Sequence, residues 1–219
     1  FLDEHLSLRQ LETSSKIDHD VKIIIEDVKN FGDDKLIQFA KDFDKISLKK
    51  SEIKIPDLKK LYSLDRLNKE TLDSFKLAIN NIKNFHVKQF PENYEMINMN
   101  ARLQSIWKPM DSVGLYVPGG NAVYPSSLIM SVVPAQIAGV KRIVCVTPPT
   151  KNFNPYVAFL LDELGICEIY QVGGAQAIAA LTFGTNTIQP VNKIFGPGNA
   201  YVASAKKQVF GKVGIDLIA

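Results

Sequence analysis

Apolar residues in the first hundred positions recur at helical spacing. Val21, Ile24, Ile25 and Val28 fall on one face, and Leu36, Ile37, Phe39, Ala40 and Phe43 form a second set. Between them, Gly32-Asp33-Asp34 predicts a helix break followed by an acidic helix start. Another helical pattern runs from Leu67 to Phe90 on Leu72, Phe75, Ala78, Ile79, Ile82 and Phe85, and Pro91 stops it. Ile46 to Ile55 is more polar and fits a short strand and turn.

From Arg102 onward the pattern changes to short apolar runs alternating with helical stretches. Strands are predicted at Ser112–Val117, Arg142–Val146, Glu168–Val172, Asn192–Phe195 and Ile215–Ile218. Helices are predicted between them at Pro125–Ala138, Asn154–Leu164, Ala175–Leu181 and Gly198–Phe210. Apolar strands alternating with helices indicate a parallel sheet covered on both faces. Right-handed crossovers then make this an α/β protein with a Rossmann-like, doubly wound sheet. The organisation expected is a helical arm at 1–20, a partly incomplete α/β domain at 21–111 and the Rossmann-like domain at 112–219.

Composition narrows the function classes. The chain has 219 residues, and its 26 basic and 23 acidic side chains leave a net charge of only +3. That excess is small and dispersed, which argues against nucleic acid or an anionic membrane as partner. No apolar run is long enough to span a bilayer, and Phe1 to Gln10 has no secretory core, so a cytoplasmic location is expected. Phe1 in place of methionine suggests that the natural chain starts elsewhere. Two cysteines, Cys145 and Cys167, indicate neither a disulfide scaffold nor a cysteine zinc site. His5, His19 and His86 lack the spacing of a helical metal site.

Candidate chemistry lies in the loops after the strands. Three of them are glycine-rich: Pro118-Gly119-Gly120, Gly173-Gly174 and Gly196-Pro197-Gly198. In an open α/β sheet such loops line one crevice, and free amides at a following helix start favour an anion. Gly196-Pro197-Gly198-Asn199 is not the dinucleotide fingerprint, because Tyr201 follows rather than a third glycine. The acid needed roughly 20 positions on would be Asp216, which lies on another strand-like segment. Tyr116, Gln176 and Asn199 stand at equivalent loop positions. Together a phenol and two carboxamides would recognise a neutral, hydrogen-bonding ligand such as adenosine or ribose. Singly, Tyr116 also fits a core-edge aromatic, and Gln176 and Asn199 fit helix caps.

Longer strings carry a resemblance. Val113-Gly114-Leu115-Tyr116-Val117-Pro118-Gly119-Gly120, Tyr124-Pro125-Ser126-Ser127 and Pro134-Ala135-Gln136-Ile137-Ala138-Gly139-Val140 resemble the histidinol dehydrogenase family. So do the run from Val172 to Leu181, Phe183-Gly184-Thr185 and Lys193-Ile194-Phe195-Gly196-Pro197-Gly198-Asn199-Ala200. Asn84-Phe85-His86 matches more weakly in the same order. The resemblance implies two-step oxidation of L-histidinol to L-histidine through an aldehyde, with hydrides passed to NAD, in an intertwined homodimer. It also implies NAD contacts at Tyr116, Gln176 and Asn199. The zinc, its ligands and the acid–base glutamate and histidine of that family are expected beyond Ala219, and residues there would complete the 21–111 domain. Exposed apolar surface is expected in that domain unless the rest of the chain or a partner covers it. Two other readings compete: a non-catalytic nucleotide-binding short paralogue, and an NAD-linked relative of aldehyde dehydrogenases. The second would need a cysteine nucleophile in a suitable loop.

Overall fold

A computed structural model describes residues 2–119 and 124–217, with side chains described from Ser15 onward. Gly120 of the first glycine-rich loop and Ile218 of the last expected strand lie outside the described residues.

Helix α1 spans Leu2–Phe31 and helix α2 Asp33–Asp42. The expected break falls at Gly32, whose φ of 55° is one that a side chain disfavours. Most of the two apolar stripes is buried as their spacing requires, Val21, Ile24, Ile25 and Val28 on α1 and Leu36, Phe39 and Ala40 on α2. Ile37 is half-buried, and Phe43, past the end of α2, is exposed. Helix α3 covers Lys69–Val87 and is capped by the Asn68 side chain, which accepts from the Thr71 amide. It is followed by an antiparallel hairpin, β1 at Tyr94–Asn98 and β2 at Ala101–Ser105. The helical pattern before it and the strand after it gave no warning of this hairpin.

The remaining elements alternate as expected. They are β3 (Ser112–Tyr116), α4 (Pro125–Ile137), β4 (Arg142–Thr147), α5 (Pro155–Glu163), β5 (Glu168–Gln171), α6 (Gly174–Phe183), β6 (Lys193–Phe195), α7 (Ala200–Val209) and β7 (Gly214–Ile215). The last strand is only two residues long and sits one position earlier than its pattern suggested. The expected strand and turn at 46–55 is a 3-10 turn at Lys50–Glu52 and a short edge pairing. There the Ile55 amide donates to the Ile169 carbonyl at 2.9 Å, and the Gln171 amide to the Ile53 carbonyl at 2.7 Å. Pairing is too brief to make a strand, but it covers the outer edge of β5.

The five later strands are all parallel, in the order β5-β4-β3-β6-β7. Taken in chain order, that is third, second, first, fourth, fifth, the doubly wound arrangement. The chain reverses its direction of travel across the sheet between β3 and β6. One face is packed by α1, α2, α6 and α7 through residues such as Val28, Leu36, Val144, Ile178, Leu181 and Val202. The other is packed by α4 and α5 through Val113, Leu115, Leu128, Val132, Leu160 and Ile169. Each fully buried aliphatic side chain removes apolar area worth about 1.5–3 kcal/mol. Helices α1 and α2, from the segment expected as a separate first domain, thus share a core with the sheet.

Two polar links tie distant segments together. The Arg142 guanidinium makes a two-pronged ion pair with Glu168 at 2.8 and 2.9 Å and also donates to the Pro190 carbonyl. Asp33 is almost wholly buried at the start of α2 and accepts from the Thr187 hydroxyl at 2.6 Å and the Thr187 amide at 3.3 Å. Burial alone would raise its pKa, but hydrogen bonds from Thr185, Thr187 and the Lys50 side chain outweigh it and hold the carboxyl below its ordinary value.

Candidate functional site

The reversal between β3 and β6 leaves a crevice at the strand carboxyl ends, where open α/β sheets bind ligands. Tyr116 is the last residue of β3 and Gly196 follows β6. Gly196 has φ of 113°, and a Cβ there would lie 2.1 Å from the Tyr116 carbonyl oxygen. Only glycine lets the two strand ends approach so closely. A Cβ on Gly173 would come within 2.7 Å of Pro148, which packs the loop after β5 against the loop after β4. These glycines bring three post-strand loops together.

A cleft of about 700 Å³ opens over these loops. It is lined by Tyr116, Gln176 and Asn199 together, with Pro148 and Gly174 from the sheet side. The three residues selected from loop position therefore share one cavity. The Tyr116 phenol oxygen accepts the Gly174 amide at 3.1 Å, which fixes the ring and leaves its O–H to donate elsewhere. Burial first, and then the charge of Asp44, raise the phenol's pKa above its ordinary value, so the hydroxyl stays neutral. Tyr116 is also a core residue, so both readings of it hold at once.

Asn199 is the N-cap of α7, and its Oδ1 accepts from the Tyr201 and Val202 amides at 3.1 Å each. Its amide nitrogen makes no hydrogen bond among the described residues. Gln176 is not the cap of α6, since Gly173 holds that position. It is 4% exposed and makes no side-chain hydrogen bond among the described residues. Its amide atoms are not among the buried polar atoms left without a partner, so they face the open space of the cleft.

The loop after β6 is held from below. The buried Lys206 ammonium donates to the Gly196 carbonyl and to Asp216 Oδ1, each at 2.6 Å. Asp216 Oδ2 accepts the Gly196 amide at 2.9 Å. Asp216, the acid at the expected interval after the glycine loop, is thus occupied in shaping that loop.

The opposite wall comes from the amino-terminal segment, which periodicity assigned only to packing. Asp20, Ile23 and Ile24 of α1, Asp42 at the end of α2 and residues 43–45 after it line it. Asp44 was missed. The available signal was an acid on an apolar stripe, since Leu36, Ala40 and Asp44 are spaced four apart. The other candidate nucleophiles and ligands lie elsewhere. Cys145 is buried within β4, with its thiol pushed up to about 12 by burial, while Cys167 is exposed and donates weakly to the Gly165 carbonyl. His86 packs edge-on against Phe85. Among the described residues no three His, Cys, Asp or Glu side chains cluster as a metal site would require.

Comparison with known proteins adds an independent finding. A family model described as histidinol dehydrogenase matches residues 7–219. The chain is 46% identical to a histidinol dehydrogenase of Brucella abortus (strain 2308) over 210 residues, covering 95% of this chain and 49% of that protein. It is 45% identical to the histidinol dehydrogenase of Listeria innocua over 220 residues, covering 100% of this chain and 51% of that protein. A crystal structure of histidinol dehydrogenase from Elizabethkingia anophelis superposes with a TM-score of 0.85 at 36% identity, covering 92% of this chain and 47% of that one. The chain therefore spans about half the length of these relatives, and the matched half is the amino-terminal one. On this match and this fold, the chain belongs to the histidinol dehydrogenase family.

Proposed function

We propose that this chain supplies the NAD-contacting part of an enzyme that oxidises L-histidinol to L-histidine by two successive hydride transfers. The observation that supports this most is the convergence of Tyr116, Gln176 and Asn199 on one cleft at the strand reversal. Gln176 and the amide of Asn199 are free of side-chain partners, and Tyr116 retains its hydroxyl proton. Such groups suit the hydroxyls and ring nitrogens of a nucleotide better than a charged or apolar ligand. NAD, when bound, would accept the hydride; the residues here would bind and orient it.

The described residues do not fit a zinc site. We assign the zinc, its ligands and the acid–base groups to the part of the enzyme outside this chain, so turnover by this chain alone is not expected. A homodimer and a cytoplasmic location accord with the family resemblance. No described helix is long and apolar enough to cross a membrane. The competing aldehyde-dehydrogenase-like reading needs an activated thiol, and Cys145 is buried with a raised pKa while Cys167 lies away from the cleft.

The test uses the full-length protein. Replacing Gln176 or Asn199 with alanine should raise the Kd for NAD⁺ by about tenfold, the value of one lost hydrogen bond, with zinc content unchanged. Equal loss of zinc and NAD⁺ would remove the assignment.

A further inference from the structure

The cleft holds one polar group that neither the fold nor the three residues above account for. Asp44 follows α2 and lines the cleft. Neither of its carboxyl oxygens takes a hydrogen bond among the described residues, and Oδ2 is the one buried side-chain polar atom there without a partner. Its neighbour Lys45 does not neutralise it. Lys45 holds a left-handed backbone at φ 59°, and its ammonium donates to the Asp42 carbonyl at 2.6 Å. Burial without a partner pushes the Asp44 pKa up to about 6. Such a group costs stability, which points to a ligand that satisfies it.

In doubly wound folds an acid commonly accepts the ribose hydroxyls of NAD, and a 2′-phosphate is excluded by the same charge. Here the acid at the corresponding interval, Asp216, is tied to Lys206 and to the Gly196 amide. Asp44 approaches the same crevice from the opposite wall, close enough for its charge to act on Tyr116. The other charged groups on that wall are Asp20 and Asp42, with Lys45 as the single cation, so the wall favours neutral donors over a phosphate.

We propose that Asp44 accepts the vicinal hydroxyls of a ribose and is the residue by which this cleft selects a nucleotide with a free 2′-hydroxyl over its 2′-phosphate. This rests on the nucleotide reading of the cleft and specifies it. Asp44 binds and selects; it performs no chemical step.

Titration calorimetry on the full-length protein tests it with four probes: NAD⁺, NADP⁺, AMP and 2′-deoxy-AMP. The unaltered protein should bind AMP about ten- to a hundredfold more tightly than 2′-deoxy-AMP, since a hydroxyl bound to a charged acceptor is lost. Asp44→Asn should weaken NAD⁺ by a similar factor and reduce the preference for NAD⁺ over NADP⁺. Equal affinity of the unaltered protein for AMP and 2′-deoxy-AMP overturns the proposal without any variant. NAD⁺ binding that is unchanged in a folded Asp44→Asn protein overturns it as well, while leaving the nucleotide reading intact. Failure of the unaltered protein to bind any of the four probes removes the nucleotide reading and this inference with it.

Discussion

Residues 112–217 and residues 67–110 are both rich in apolar side chains, yet they use them in opposite ways. All five residues of β3 are buried, and so is the run Ala175–Leu181 in α6. Helix α3 has no fully buried residue, its Phe75, Ala78, Ile79 and Ile82 being only half-buried against the core of α4 and α5, and every position of β1 is exposed. Ile97 is 74% exposed and Met99 97%. Both segments form regular elements, because capping, helical spacing and short-range strand pairing act locally. Only the later one closes its own core. Local pattern therefore determines which elements form, while burial depends on what is available to pack against them. Relatives of twice the length show how much chain could cover the open segment.

The sharpest contrast should come from the closed segment. Gly196→Ala introduces a Cβ 2.1 Å from the Tyr116 carbonyl at a backbone angle that side chains disfavour. We expect a loss of about 4 kcal/mol or more, outside the common range for point changes. Urea denaturation of the full-length protein would measure it, and a loss under 1 kcal/mol would show that the strand ends can part. Lys206→Met comes next. It leaves Asp216 with its negative charge partly buried and the Gly196 carbonyl without its donor. Breaking a buried pair in this way costs about 3–5 kcal/mol, and NAD⁺ affinity should fall with it because the loop before Asn199 loses its support.

Asp44→Asn should act in the opposite direction. The native pKa of about 6 lies above the ordinary value of 3.8, so folding favours the protonated acid. The cost of ionisation is absent below pH 3.8, grows between 3.8 and 6, and is complete above 6. Asparagine should therefore stabilise the protein at pH 7.5 by at most about 3 kcal/mol and change little at pH 4. Thermal denaturation at the two pH values separates this from a general packing gain, which would appear at both. Combined with weaker NAD⁺ binding, stabilisation would mark Asp44 as a group kept for its ligand.

Much of this arrangement was readable from the chain. The strand–helix alternation after Arg102 led to the parallel sheet because continuous apolar strands have no other stable setting. Tyr116, Gln176 and Asn199 could be selected because a strand order that reverses brings post-strand loops together. Two features escaped. The hairpin at 94–105 buries nothing, so its alternation carries no contrast between an inner and an outer face. Asp44 reaches the cleft only because α2 packs on the same face of the sheet as α6 and α7, a contact between segments over a hundred residues apart. Periodicity describes an element's faces and not the partner that each face meets.

The smallest effect is expected in the open segment, and it carries the most information about the whole protein. Ile97→Ser combined with Met99→Ser removes two large apolar side chains that already meet solvent. In a protein of these 219 residues the pair should change stability by no more than about 0.5 kcal/mol, because no buried contact is lost. It should also lower any tendency to self-associate, which light scattering would report. In the full-length protein the result should differ if the remaining chain or a second subunit covers the hairpin. Each covered aliphatic side chain would then be worth about 1.5–3 kcal/mol, and denaturation would register their loss. A neutral result in both proteins would mean that the hairpin stays open even in the complete molecule. Its apolar face would then need another explanation than completion of the fold.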